Sequence, residues 1–410
     1  MCWRQLGTTL TNTYQAGEPI SGNEIWQGAK ALRDFLSAKS DEIEAARRLT
    51  PEVVAAMHEK GLFRLNMPEI WGGPELTSMA QVEVIEEISQ GDASAGWCLM
   101  IGCDSGLYSG YLEDSVAREL YPRLDMVQAG WVYPVGQLHE IDDGYSLKKA
   151  QWAFGSGSTH ADLIAAGCIV FKDGQPKLRE NGEPDTRVVI AKRDRWEVLD
   201  TWYTTGLRGT GSNDYTTVDD EMFVPREHTF SWNEFDSEPR REGVLWRKPD
   251  ALLRKMPGIP LGVARAAIDY SIDVLKDKVE IPSQKAYRDM PRIQTAIAEA
   301  EMRLGAARSY VFSSLETQWH KIEEHKALTK RERVDVWASR LNAFQTARDV
   351  VRILFDAIGG SAIYAQKSPL DRALRDTQTM CQHLVGQYKT LELSGALLLG
   401  DSDSSPHVML

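Results

Sequence analysis

The chain has few of the features that would stabilise it by anything other than packing. Its five cysteines, Cys2, Cys98, Cys103, Cys168 and Cys381, are scattered and odd in number. That excludes a disulfide framework and suits a reducing compartment. Cys98 and Cys103 have no second pair at metal-binding spacing, and the eight histidines form no H-E-x-x-H pair, so no metal centre is expected. No run reaches the roughly 18 apolar residues of a bilayer span. The opening MCWRQLGTTLTNTYQAGEP has no apolar signal core, so a cytoplasmic protein with no membrane partner is expected. Basic residues are outnumbered, 47 Lys and Arg against 59 Asp and Glu, net −12. A nucleic acid or anionic membrane needs a basic footprint and is not an expected partner. Three sequence signatures are also missing: G-x-G-x-x-G, the P-loop and the G-x-S-x-G elbow. Rossmann dehydrogenases, P-loop phosphotransferases and α/β-hydrolases are set aside accordingly.

What is present is 42% hydrophobic residues over 410 positions, enough for two or three domains' worth of core. Residues 24–62, 78–89, 92–112 and 113–124 have helical spacing, with Thr50-Pro51-Glu52 as a cap and N1 proline. The segment 92–112 is rich in small apolar residues and is expected to be one buried helix. From Asp125 the pattern becomes strand-like, with an Asp143-Gly144 hairpin signal. Long helical runs return from Gly243. The expected fold is multidomain α+β: a helical domain at 1–125, an antiparallel β-barrel or sandwich at 126–240, a four-helix bundle at 241–400 and an arm at 401–410.

Three stretches carry candidate chemistry. In Trp152-Ala-Phe154-Gly-Ser156-Gly157-Ser158-Thr159-His160, aromatics alternate along a strand that stops at hydroxyls and open backbone N–H groups. Such an end can bond the polar edge of a flat heterocycle, and equally suits a turn with solvated hydroxyls. In Trp202-Tyr-Thr-Thr-Gly206-Leu207-Arg208-Gly209-Thr210-Gly211-Ser212, three glycines let backbone approach a ligand or form a tight crossover. In Gly359–His383, a glycine pair is followed by a helix entered at Pro369. At 100° per residue, Arg372, Asp376, Thr379 and His383 share one stripe of it, either a solvated face or a cavity wall.

In this order, WAFGSG at 152–157, GLRGTGS at 206–212, RIQTAIAEAEMRLGAAR at 292–308 and IGG followed by LDRALRDTQ at 358–378 resemble the acyl-CoA dehydrogenase fold across residues 25–400. The resemblance implies a flavin clamped between the three domains. Within that fold the chain is similar to the two-component (group D) monooxygenases. These use reduced flavin (FADH2 or FMNH2) and O2, through a C4a-hydroperoxyflavin, to oxygenate an aromatic of indole or phenol type. The flavin comes from a separate NAD(P)H-dependent reductase, and the assembly is a homotetramer or homodimer. The other member activity, an acyl-CoA dehydrogenase-type flavin oxidoreductase, needs a carboxylate base. Neither Met380-Cys-Gln-His383-Leu-Val-Gly-Gln nor Asp250-Ala-Leu-Leu-Arg-Lys-Met-Pro offers a glutamate there.

The resemblance also implies roles. Ser156 would bond the flavin near N5 and His383 would serve the reacting oxygen, with an imidazole pKa near working pH. Trp131, Phe154, Gly157 and Trp202 would wall the flavin. Arg208, Gln294, Gly359 and Gly360 would serve its polar tail, the glycine pair reaching a neighbouring subunit. Trp97, Asp104 and Ser105 would face the substrate. Phenol-oxygenating members carry a histidine where this chain has Ser105, and dehydrogenases a glutamine where it has Asp356, which leaves FMN and FAD both open. DASAGWCLMIG at 92–102 is similar to members acting on indole-type substrates.

Overall fold

The computed structural model describes residues 20–231, 239–248, 250–365 and 367–400; Cys2 and the arm at 401–410 lie outside them. The first domain is helical: α1 (Gly22–Ala46), α2 (Pro51–Glu59), α3 (Ser78–Gly91), α4 (Ala93–Gly102), α5 (Asp104–Ser109) and α6 (Asp114–Leu120). Local sequence sets the starts. Ser21 and Glu24 form a capping box on α1, and Thr50 caps α2 ahead of Pro51. Residues 92–112 are two helices rather than one, broken at Cys103. The break lays Gly106 on the Asn66–Met67 backbone, where a Cβ would stand 2.1 Å from the Asn66 carbonyl oxygen.

The middle domain holds β1 (Gln128–Ile141), β2 (Gly144–Lys148), β3 (Gln151–Gly155), β4 (Leu163–Lys172), β5 (Gln175–Pro176), β6 (Thr186–Lys192), β7 (Trp196–Val198), β8 (Asn213–Thr217), β9 (Glu221–Pro225) and β10 (Thr229–Ser231). One sheet runs β10-β6-β4-β1-β2-β9 with β5 on β4; a second runs β3-β8-β7. The ladders are antiparallel except β1–β4, which is parallel because the chain passes through β2 and β3 before returning. Ile141 pairs with Gly144, so the hairpin turns at Asp142–Asp143, one residue before the expected pair. Buried Trp152, Trp196 and Tyr215 pack together, and the Trp152 indole N–H donates to Gly167 O at 2.8 Å, tying the small sheet to the large one.

The third domain is α7 (Gly258–Asp277), α8 (Pro291–Glu323), α9 (Lys330–Ile358), α10 (Leu370–Met380) and α11 (Lys389–Leu398). The expected fourth bundle helix is interrupted between α10 and α11. Gly258 and Gly262 bring α7 against α3; a Cβ at Gly262 would lie 2.2 Å from Glu86 O. No helix among the described residues is long and apolar enough to cross a membrane.

All three domains meet at one loop. Residues 199–212 join β7 to β8 and lie on α10. Gly206 touches the α10 backbone so closely that a Cβ would stand 2.2 Å from Arg375 O. Arg375 Nη1 donates to Thr205 O at 2.8 Å. Glu44 of α1 accepts from Arg372 Nε at 2.9 Å and also binds Arg375. Gly206 does not have a positive φ, so its demand is for space alone. Gly206→Ala is expected to lower stability by about 1–3 kcal/mol through overpacking. A fall in denaturant midpoint at constant m-value reads this directly; an unchanged midpoint would mean the loop does not dock here.

Candidate active site

The interrupted helix, the glycine loop and the α4–α5 break all open onto one cavity of about 1020 Å³. That is room for a tricyclic heterocycle and a second small ring, in the upper range of ligand sites. One wall is aromatic. Trp131 stacks on Tyr133 at 5.1 Å between centroids, Phe154 meets Trp131 edge-on at 5.6 Å, and Trp202 follows at 6.4 Å from Phe154. Phe154 stands here because the β3 ladder shifts after Trp152 and its own φ is +60°. Two aromatics at i and i+2 thus part company: Trp152 is in the core and Phe154 is 55% exposed.

At the end of that strand is a directed chain of hydrogen bonds. Trp97 Nε1 donates to Ser156 Oγ at 3.2 Å. Ser156 Oγ lies 2.7 Å from Ser212 Oγ, and Ser212 Oγ 2.6 Å from Thr210 Oγ1. Thr210 donates to Leu207 O at 2.8 Å. Its proton is thereby used, so Ser212 donates to Thr210, and Ser156 donates to Ser212. An indole N–H at one end and a carbonyl at the other fix the polarity. Ser156, buried and on the cavity wall, is left with a lone pair to offer and no proton.

The Leu207 peptide anchors this chain. Its φ is +49°, unusual for a branched side chain. Its carbonyl also accepts from Trp202 Nε1 at 2.9 Å, and its N–H donates to Asp376 Oδ1 at 2.5 Å. Backbone strain at that residue is held by groups from two domains.

His383 lies past the end of α10, not on its stripe, and caps the short turn Leu384–Gly386. Gly386 permits that turn; a Cβ would come 2.9 Å from Cys381 Cα. The ring packs edge-on against Trp97 at 5.6 Å. Nδ1 accepts from the Val385 N–H at 3.4 Å, so Nε2 carries the proton of the neutral ring. Burial pushes its pKa down to about 4. The expected near-neutral imidazole is therefore corrected: His383 is a neutral N–H donor at working pH. Of its former stripe-mates, Thr379 lines the cavity, Arg372 binds Asp41 and Glu44, and Asp376 holds Leu207.

The substrate-side candidates divide. Trp97 and Asp104 line the cavity. Ser105 does not: it is fully buried and donates to Met126 O at 2.7 Å. Gly157 also lies outside the lining, its φ at +74° and its N–H on Thr210 O at 3.0 Å. Arg208 is set in the turn after Leu207 with a buried, unpartnered Nε and does not line the cavity. Gln294 is exposed and bonds Arg288 O, and Gly359–Gly360 sit at the far end of α9. Within one chain none of these four reaches the cavity. Sequence reading missed Ser212 and Thr210 as partners of Ser156, and the wall Leu252, Leu253 and Met256 with Lys255 behind it. The hydroxyls stood inside a motif already noted. Lys255 left only a weak signal, the second of two adjacent basic residues between Leu252-Leu253 and Met256.

The chain matches family models for the acyl-CoA dehydrogenase N-terminal domain over residues 27–116 and C-terminal domain over 258–388. It is 29% identical over 370 residues to indole-3-acetate monooxygenase of Pseudomonas putida, covering 88% of this chain and 90% of that one. It is 26% identical over 360 residues to the flavin-dependent monooxygenase oxygenase subunit HsaA of Rhodococcus jostii, covering 85% and 91%. The crystal structure of TdsC from Paenibacillus sp. A11-2 with FMN and indole superposes with a TM-score of 0.79 at 18% identity, over 95% of this chain and all of that one.

Burial raises the Asp376 carboxyl to about 7. A folded value above the unfolded one makes its contribution fullest at low pH, declining as pH rises through about 7. Asp376→Asn keeps an acceptor oxygen and cannot ionise. The wild-type thermal midpoint should fall between about pH 4 and pH 7 more steeply than the variant's; parallel curves would contradict the burial of Asp376 beneath the loop.

Proposed function

We propose that the chain, which belongs to the acyl-CoA dehydrogenase family, is the oxygenase component of a two-component flavin monooxygenase acting on an aromatic of indole or phenol type. The observation that carries this reading is the directed chain ending at Ser156. A reduced flavin bears an N–H at N5, and an oxidised flavin has a bare acceptor nitrogen there. An acceptor-only Ser156 suits the first and mismatches the second. The aromatic wall and the cavity volume fit the isoalloxazine, so the residues present suit a flavin.

Bound reduced flavin supplies the two electrons with which O2 places one oxygen atom on the substrate and the other leaves as water. The protein's own part is to position and to exclude. Trp131, Phe154 and Trp202 would cover the ring face. Ser156 would accept the N5 hydrogen, its polarity held by Ser212, Thr210 and Leu207. His383 offers its Nε2–H to oxygen without donating a whole proton, since its pKa of about 4 keeps it neutral. The apolar residues Met100, Ile101, Leu252, Leu253 and Met256 keep water from the reacting oxygen. A dehydrogenase base is not supported: Asp104 is the one carboxylate among the described lining residues, and Lys255 holds it.

Relatives named as oxygenase subunits support supply of reduced flavin by a separate reductase. Self-association into a homotetramer or homodimer is supported by an apolar patch of Val279, Ile281, Ile363 and Tyr364. These are exposed near the point where Lys278 ties onto Ile358 O and Ser361.

The test is rapid mixing of the protein with chemically reduced FMN or FAD and oxygenated buffer. A transient flavin spectrum unlike either the oxidised or the reduced form is expected. Reoxidation identical to that of free flavin would contradict the reading, and bleaching of oxidised FAD by an acyl-CoA would replace it with a dehydrogenase. Ser156→Ala and His383→Ala should each lower the oxygenated product per flavin oxidised, about fivefold for one lost hydrogen bond. In the wild type this ratio should stay level as pH falls through 6.5, the ordinary imidazole value, because His383 does not titrate there.

A further inference from the structure

The substrate end of the cavity carries one charge. Met100, Ile101, Leu252, Leu253 and Met256 are apolar, and Asp104 stands among them at the first turn of α5. Lys255 donates to Asp104 Oδ1 from behind; Asp104 is 4% exposed and Lys255 1%. Asp104 lines the cavity and its partner Lys255 does not. Among the described residues lining the cavity, none bears a positive side chain. The nearby guanidinium of Arg254 bonds the carbonyls of Val244 and Arg247. Gln128, also on this wall, accepts from Tyr121 Oη at 2.9 Å and donates to Ala129 O at 3.0 Å.

This arrangement favours a particular ligand. A carboxylate at a dry wall accepts strongly from N–H or O–H, and a hydrogen bond to a charged group is worth more than a neutral one. A ligand carboxylate placed beside it would be desolvated against a like charge with no cation facing it. We propose that the substrate is an uncharged aromatic bearing an N–H or O–H donor, with Asp104 accepting that hydrogen and Lys255 fixing Asp104 in place, and that aromatic acids are rejected. This rests on the flavin monooxygenase reading and adds the substrate class to it. Asp104 is here a binding residue and Lys255 a positioning residue.

The full chain, loaded anaerobically with reduced FMN, is titrated with indole, 1-methylindole and indole-3-acetate, and the same three are then offered with O2. Indole should bind at least about tenfold more tightly than either other probe, and be oxygenated in the same order. Indole-3-acetate binding as tightly as indole, or 1-methylindole matching it, would overturn the proposal. Asp104→Asn leaves Lys255 facing the site without its counter-charge, and should shift the preference toward indole-3-acetate by about tenfold. Because that variant buries an unpaired charge, the double variant Asp104→Leu, Lys255→Met is made beside it; replacing a buried pair with apolar groups of similar volume keeps a fold. The double variant should bind indole and 1-methylindole equally, and a retained preference for indole would overturn the proposal. The flavin reading fails separately: it falls if no transient forms in the absence of any aromatic, whereas a transient with the wrong substrate order sinks this inference alone.

Discussion

The Leu207 peptide is the constraint on which the site depends. Its N–H is held by Asp376 of the helical bundle, and its carbonyl accepts from both Trp202 and Thr210 of the β domain. Each bond serves a different wall. Trp202 is fixed as part of the aromatic wall, Thr210 passes its polarity to Ser212 and Ser156, and Asp376 sets the distance from the loop to the α10 end that carries His383. The positive φ of Leu207 is stable because three partners and the contact at Gly206 over-determine it. Glu44 reinforces the same junction from the first domain through Arg372 and Arg375. A site at a three-domain junction is thus built from loops that are clamped by groups from all three domains.

Burial does the chemical tuning. Among the described residues His383 has no carboxylate partner, and burial pushes it down to about 4, which makes it a donor that does not protonate. Asp104 is pushed up by burial to about 6, and Lys255 opposes that rise. Both effects arise from one apolar enclosure, which also protects a reactive oxygen from water. Specificity and chemistry therefore share a physical cause: few polar groups, each with its hydrogen-bonding direction already assigned.

The fold was legible in the sequence because its signals are local. Thr50-Pro51 and the long amphipathic runs mark helices by spacing alone, and Ser156 and Trp202 stood in motifs that break strands. What could not be read depended on contacts between distant segments. Gly206 meets Arg375, and Asp104 meets Lys255, across more than a hundred residues in each case. His383 looked helical because 100° per residue carries it onto the stripe, but α10 ends at Met380 and the chain turns at Leu384–Gly386, where Gly386 lies against Cys381. Phe154 was marked as a wall residue by its motif, but the register shift and positive φ that turn it away from Trp152 and toward the cavity could not be read from the residues. The direction of the hydroxyl chain is invisible in any sequence, since it follows from which groups end it.

The central claim is that this direction makes the cavity complementary to reduced flavin. The most direct measurement is the affinity for reduced against oxidised FMN and FAD, by equilibrium titration, in the wild type and in Ser212→Ala. The wild type should hold the reduced form at least about fivefold more tightly. Ser212→Ala, which frees the Ser156 proton to point into the cavity, should narrow that ratio by improving the oxidised form. Equal affinities in the wild type, or a ratio untouched by the substitution, would contradict the account.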